Sequence, residues 1–163
     1  METEELIFKM KNSPDAYSRR RAVEELTETG EINRPVVEAL VTGLTDFDGG
    51  MKDLCSRAIV NLPDEWKPDA ASFLAPFITS KNIEIRNLAG DILTRLGTFS
   101  IDYLLPFLDD EDPDNRKFAC DVLGLVGLPE HGRFIYHLMD DDDENVVSSS
   151  AEAAGNLKDP GAI

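Results

Sequence analysis

The chain has 163 residues, of which 42% are hydrophobic and 29% are charged, a composition typical of globular proteins rather than of disordered or membrane-spanning ones. Its 32 acidic residues outnumber its 16 basic ones, for a net charge of −16, and so acidic a surface lacks the cationic track that nucleic acids require. No apolar run reaches the roughly 20 residues that cross a bilayer, and the acidic start Met1–Glu5 is unlike a secretory signal, so we expect a cytoplasmic protein with no membrane partner.

The first predicted element is a leading helix over residues 3–12. Leu6, Ile7 and Met10 fall on one face of this helix at helical spacing. We expect that face to cover the segment that follows.

After the leading helix, the chain repeats itself with a period of about 31 residues, which accommodates two helices and two turns. The first helix of each copy carries Arg, a small residue three positions later, and Leu four positions after that. The clearest copies begin at Arg19, Arg86 and Arg116, and weaker ones fit around Ala58 and Ser150. The predicted repeats cover about residues 14–46, 50–80, 82–110, 112–141 and 143–163, the last one incomplete. Asp159 and Pro160 form a helix-start signal near the end of that last repeat.

Two kinds of residue close the predicted first helices. A leucine near the end of each is expected to lie in one continuous core formed by stacked repeats. These are Leu26, Leu62, Leu93 and Leu123. A glycine follows in the clear copies, where a left-handed residue would turn the chain back antiparallel. These are Gly30, Gly97 and Gly127.

The second predicted helix of several repeats carries large side chains, spaced i, i+4, opposite its apolar stripe. We name these candidate partner-binding residues the aromatic strip: Phe73, Phe77, Tyr103, Phe107, Arg133 and His137. If the strip faces a groove, its aromatic and Arg side chains suit a protein interface. The alternative is that the rings pack in the core. Pro76 and Pro106 each remove a backbone donor and predict a kink in these helices.

Acidic residues recur in the loops between repeats. We name the candidate set the acidic edge: Asp46, Asp48, Asp110, Asp112, Asp140 and Asp142. The structural interpretation is that such aspartates cap the next helix and pair with Arg19, Arg86 and Arg116. The segment from Asp110 to Asp121 faintly resembles a calcium loop, but Asn115 stands where that loop needs glycine.

The sequence shows no arrangement that carries catalysis. His131 and His137 lack His or Cys partners at metal-ligand spacing, and no Gly-rich phosphate loop is present. Cys55 and Cys120 sit in helical apolar patterns, which predicts buried free thiols. We therefore predict a protein that is not an enzyme, with no catalytic, cofactor-binding or metal-binding residues.

The repeat resembles the HEAT-like repeat of the phycobilisome-lyase type, most closely from Ile85 to Asp110 and from Asn115 to Asp140. The resemblance implies an all-α fold: a right-handed α–α superhelix, a HEAT/armadillo-like solenoid of about five two-helix repeats whose second helices line a concave groove. It also implies a scaffold or adaptor that holds a segment of a partner protein in that groove, and the net charge favours a basic partner. A bilin lyase-like or other modifying-enzyme subunit, and an acidic inhibitor of a basic protein, are the alternatives. The oligomeric state stays open.

Overall fold

A computed structural model describes residues 2–158 of the chain. The elements within this range are helical, and no strand occurs in it, so the predicted all-α class is confirmed. The chain divides into two compact units, Met1–Leu74 and Ala75–Ile163. The predicted helix start at Asp159 lies outside the described residues. No helix between residues 2 and 158 is long and apolar enough to span a membrane.

The first unit holds a leading helix and two helical hairpins. Its α-helices are α1 (Glu2–Asn12), α2 (Ala16–Glu28), α3 (Arg34–Gly43), α4 (Gly49–Val60) and α5 (Lys67–Leu74). A short 3-10 turn, Asp64–Trp66, leads into α5. Helix α1 packs on α2 and α3 and buries Leu6 and Met10 against them.

The second unit contains three longer helices joined by short 3-10 segments. Its α-helices are α6 (Ile83–Leu96), α7 (Ile101–Leu104), α8 (Pro113–Val126) and α9 (Glu144–Leu157). The 3-10 segments are Ala75–Thr79, Gly97–Ser100, Leu105–Asp109, Pro129–Phe134 and Tyr136–Asp140. Helix α8 packs against both α6 and α9.

Within this unit, the second half of each repeat departs from the predicted single helix. Helix α7 ends at Leu104, two residues before Pro106, and Leu105–Asp109 continues as a 3-10 helix. Proline has no amide hydrogen to donate to the carbonyl four residues back, so the tighter i+3 pattern takes over. The same change to 3-10 structure occurs around Pro76, so the predicted kinks are changes of helix type. The fourth repeat, without proline at that position, has 3-10 segments throughout its second half.

Each first helix begins at a side chain that caps its free amides. The N-cap residues of α2, α4, α6, α8 and α9 are Asp15, Asp48, Asn82, Asp112 and Asp143. A small buried residue lies seven positions after each cap. These residues are Ala22, Cys55, Ala89, Ala119 and Ser150. The sequence pattern predicts Ala58 as the small residue of the second repeat. In the structure Cys55 occupies that position, so the predicted alignment of this repeat is three residues too late.

The closing glycines differ in what they do. Gly30 and Gly97 adopt φ of +68° and +66°, a left-handed conformation that glycine tolerates best. Gly127 has φ of −71°, so the predicted left-handed turn is wrong there. A Cβ on Gly127 would lie 2.6 Å from Leu157 Cδ2 and 2.8 Å from the Leu123 carbonyl oxygen, so close packing requires glycine at this position.

The predicted core leucines are buried. Leu26, Leu93 and Leu123 have no exposed surface, and Leu62 is 5% exposed. Because the second repeat is aligned by its cap, Ile59, which is also fully buried, takes the place equivalent to Leu26 in α4.

Candidate functional site

Two arginines of the first helices form part-buried ion pairs with the loop that follows their repeat. Arg19 donates from Nε and Nη2 to the two carboxylate oxygens of Asp46, at 2.8 and 2.9 Å. Arg116 makes the same two-pronged contact with Asp141, at 2.8 and 2.7 Å. The remaining amino group of each arginine donates to carbonyls before its own helix, those of Ser13 and Asp110. Each arginine thus connects the start of a repeat to the end of the second half of the same repeat.

The third predicted pair, from Arg86 to Asp110, does not form. The Asp110 carboxylate accepts instead from the side-chain amide of Asn115 and from the Asp112 backbone. The Arg86 guanidinium lies 5.7 Å from the centre of the Phe118 ring, in the range of a cation–π contact. Its Nε atom is buried and has no hydrogen-bond partner within residues 2–158. The predicted ladder of arginines is therefore confirmed at two positions and wrong at one.

The aspartates of the loops between repeats have two different roles. In each loop, one aspartate accepts from the backbone amide of a second, which caps the next helix. The accepting residues are Asp46, Asp110 and Asp141, and the capping residues are Asp48, Asp112 and Asp143. The prediction of Asp140 and Asp142 is therefore shifted by one residue: Asp140 and Asp142 are exposed, while Asp141 and Asp143 make these bonds.

The pKa values of the paired aspartates reflect these contacts. The hydrogen bond from Arg19 is the main reason that the pKa of Asp46 is lowered, and the bond from Arg116 does the same for Asp141. The amides of Asp48 and Asp143 add to the lowering. Both carboxylates are charged at neutral pH and already occupied, so they are poor candidates for direct contact with a partner.

The aromatic strip is neither fully exposed nor fully buried. Phe73, Phe77, Tyr103 and Phe107 are half-buried, and Arg133 and His137 are exposed. In the first unit, the Phe73 ring lies 5.3 Å from the Arg34 guanidinium of α3. Phe73 is therefore engaged within its own unit.

In the second unit, Arg133 and His137 border a surface groove between the second halves of the third and fourth repeats. This groove has a volume of about 560 Å³, and we name it the repeat 3–4 groove. Leu105, Pro106 and Phe134 supply its apolar surface. Its other lining residues are Asp102, Leu108, Asp109, Arg133 and His137.

Polar contacts cross and border the repeat 3–4 groove. His137 Nε2 lies 3.1 Å from Asp109 Oδ1, which links the two repeats across it. The Arg133 guanidinium stacks 4.7 Å from the centre of the Phe134 ring. Of the predicted strip, only Arg133 and His137 line the groove, whereas Tyr103 and Phe107 are not among its lining residues. The sequence did not predict Asp102, Leu105 and Asp109 as lining residues, although their i, i+3 and i+7 spacing puts them on one helix face.

The remaining candidate groups for chemistry are engaged or buried. His131 Nδ1 accepts from the Leu128 amide at 2.8 Å and so caps a 3-10 segment. Cys55 and Cys120 are free and buried, as predicted, and burial raises the pKa of each thiol to about 12. Within residues 2–158, no cluster of three or more His, Cys, Asp or Glu side chains is arranged to hold a metal ion.

Comparison with known proteins finds one family match, in the second unit, and several similar structures. Residues 101–163 match the family of HEAT repeats. No curated protein sequence is significantly similar to the chain. Among solved structures, one concerned with TOG–tubulin binding specificity, microtubule dynamics and mitotic spindle formation is 14% identical, with a TM-score of 0.61 over 94% of this chain and 71% of that one.

Two further structures are similar over most of the chain. The complex of CpcE and CpcF of phycocyanin lyase from Nostoc sp. PCC7120 is 19% identical, with a TM-score of 0.49 over 98% of this chain and 66% of that one. An engineered protein is also 19% identical, with a TM-score of 0.46 over 96% of this chain and 79% of that one. The family match covers only residues 101–163, and the TOG–tubulin structure shows a similar fold over most of the chain.

Proposed function

We propose that this HEAT-like repeat protein is a non-catalytic scaffold that binds a segment of a basic protein partner in the repeat 3–4 groove. The observation that carries the proposal is the groove itself, in which Leu105, Pro106 and Phe134 form an apolar surface between polar borders. Apolar anchors surrounded by polar groups are the usual composition of a protein interface. HEAT repeats suggest an interaction scaffold, and the fold is shared with a structure concerned with TOG–tubulin binding.

The preference for a basic partner comes from the charges at the groove and on the chain. Asp102 and Asp109 line the groove, and the Asp109 side chain is 78% exposed. The chain as a whole carries a net charge of −16, which would accelerate the approach of a cationic segment. Aliphatic side chains of the partner would then contact Leu105 and Phe134, while its Lys or Arg residues meet the carboxylates.

The proposal is tested by selecting peptides from a displayed random library on the full chain and measuring their binding to charge-matched variants. Asp109→Lys reverses a charge in the groove. Asp140→Lys makes the same change at an exposed residue 31 positions later, outside the groove. We expect the selected peptides to be basic with an aliphatic anchor. We also expect Asp109→Lys to weaken binding about fivefold, because it removes one exposed charge contact of up to about 1 kcal/mol and introduces a like charge. Asp140→Lys should leave binding nearly unchanged.

A second variant separates anchoring from general charge attraction. Leu105→Ala shortens the apolar surface without altering charge, and we expect it to weaken the selected peptides several-fold at both low and high salt. If Asp140→Lys weakens binding as much as Asp109→Lys does, and Leu105→Ala has no effect, binding is nonspecific attraction to an acidic surface. That result would support the acidic-inhibitor alternative and refute the groove.

A further inference from the structure

A second cleft lies in the first unit, between helices α2 and α4. It consists of two adjoining cavities of about 550 and 670 Å³ that share Glu24, Leu54 and Arg57 as lining residues. Along α2 the lining runs from Tyr17 to Gly30, and a helix rises 1.5 Å per residue, so the cleft is about 20 Å long. We name it the α2–α4 cleft.

Helix α2 carries larger side chains at two positions where other first helices have glycines in close contact with a neighbouring helix. In the second unit, a Cβ on Gly90 of α6 would lie 2.6 Å from Phe118 of α8, and one on Gly124 of α8 would lie 2.7 Å from Ala153 of α9. Counted from the N-caps, the equivalent residues of α2 are Val23 and Thr27. Both of these residues line the cleft.

The two ends of the cleft differ in chemistry. The end near Gly30 and Pro63 is largely apolar. Its accessible apolar side chains are the half-buried Ile32, Leu54 and Ala58, above the buried core residues Val23, Leu40 and Leu62. The end near Tyr17 and Gly50 contains three arginines and two carboxylates. These are Arg20, Arg21, Arg57, Glu24 and Asp53. On a chain with twice as many acidic as basic residues, three arginines at one end of a cleft are a local concentration of positive charge. Two further carboxylates outside the lining, Glu25 and Asp48, lie near Arg21 and Arg20.

The arginines differ in how far they are already neutralised. Arg21 is paired with Glu24 at 2.9 Å, and Arg20 lies 3.5 Å from Asp48. Arg57 donates from Nε to the carbonyl oxygen of Asp53 at 3.4 Å, and within residues 2–158 it lies within ion-pair distance of no carboxylate. Arg57 also lines both cavities, so its charge sits where the polar and apolar ends meet.

We propose that the α2–α4 cleft binds an acidic peptide segment of a partner protein. Its carboxylates would pair with Arg57 and Arg20, and its aliphatic side chains would contact Leu54 and the apolar end. A length of about 20 Å fits roughly six residues of extended chain. The cleft is open along its side, whereas sites for small molecules usually enclose most of the ligand, and this favours a peptide. This site lies outside the repeat 3–4 groove and takes the opposite charge.

The test uses a displayed library of random peptides, selected on the full chain and then counter-selected on the Arg57→Glu variant. We expect the peptides retained by the wild-type chain alone to combine Asp or Glu with Leu, Ile or Val, and to bind Arg57→Glu at least tenfold more weakly. Arg95→Glu in α6 applies the same charge change to an exposed arginine outside the cleft and should leave their affinity unchanged.

A second variant keeps the result interpretable if a charge reversal unfolds the first unit. Ala58 is half-buried and lines the apolar end, so Ala58→Phe should fill the cleft and abolish binding while the circular dichroism spectrum is retained. The proposal is overturned if no peptide depends on Arg57, if the dependent peptides are basic, or if Arg95→Glu weakens them equally. Asp109→Lys serves as a further arm: loss of acidic-peptide binding in that variant would also refute a separate site in α2–α4.

Discussion

Replacing Gly124 by alanine should destabilise the protein, although alanine is the better helix former. Gly124 lies within α8, where the exchange alone would stabilise by about 1 kcal/mol through helix propensity. A Cβ at this position would lie 2.7 Å from Ala153 Cβ and 2.8 Å from Ala153 Cα in α9. Because one of these atoms belongs to the backbone, the contact is relieved only by moving a helix, and such overpacking costs about 1–3 kcal/mol.

Because the contact involves the backbone, we expect an overpacking cost of about 2–3 kcal/mol. After the helix-propensity gain of about 1 kcal/mol is subtracted, the free energy of unfolding should fall by about 1–2 kcal/mol. For a chain of this size, such a loss lowers Tm by about 2–8 °C. Thermal and urea unfolding followed by circular dichroism at 222 nm measure both quantities.

The matched control is the same substitution at Gly155 in α9, where a Cβ would meet nothing within 4 Å. Gly155→Ala should therefore raise stability by up to about 1 kcal/mol, with the opposite sign to Gly124→Ala. Combining Gly124→Ala with Ala153→Gly should recover part of the loss beyond additivity. If Gly124→Ala and Gly155→Ala both raise Tm, the close approach of α8 and α9 is wrong.

Three further predictions follow from buried groups. The hydrogen bond from Arg116 lowers the pKa of Asp141, so the pair contributes fully above the unfolded value near 4, and its contribution declines below that value until it is lost as pH falls through the lowered folded pKa. The cost of Arg116→Met in urea unfolding should therefore be constant from pH 7 to about 5 and shrink steadily as the pH is lowered below about 4. Burial raises the pKa of Cys55 and Cys120 to about 12. Iodoacetamide at pH 8 should therefore modify these thiols only after the protein unfolds, as measured by mass spectrometry. Rapid labelling of the native protein would contradict their burial. Leu93→Ala removes a fully buried side chain and should cost about 2–5 kcal/mol in urea unfolding, and a loss below 1 kcal/mol would mean that Leu93 is not in the core.

The features that sequence predicted well are the local ones. An arginine, a small residue three positions later and a leucine four positions after that all lie within one helix, so α2, α6 and α8 could be aligned from the sequence. In α4 both Cys55 and Ala58 are small residues at helical spacing, and the motif alone chose the wrong one. The N-cap Asp48 would have set the register, because it lies the same seven residues before Cys55 as Asp15 lies before Ala22.

The groove was harder to predict because it depends on which face of a short segment is exposed. Tyr103 and Phe107 drew attention by their size, yet the groove is lined by the neighbouring residues Asp102 and Leu105. Asp102, Leu105 and Asp109 follow helical spacing, but so do Tyr103 and Phe107, and spacing alone does not tell which face a groove exposes. The sequence identified the second half of the repeat as a candidate surface, but the side chains that line the groove depend on how the two repeats pack.

The missing arginine pair shows why repeat alignment alone does not predict a contact. Arg86 and Asp110 occupy the positions of Arg116 and Asp141, and by equivalence they should also pair. A third residue decides the outcome: Asn115 donates to Asp110, whereas the equivalent residue after Asp141 is Val146, whose side chain has no donor. Next to Arg86, the approach of Phe118 to Gly90 places an aromatic ring within reach of the guanidinium. In these repeats the ion pair therefore forms where the neighbouring side chains leave the carboxylate available and offer the arginine no other contact.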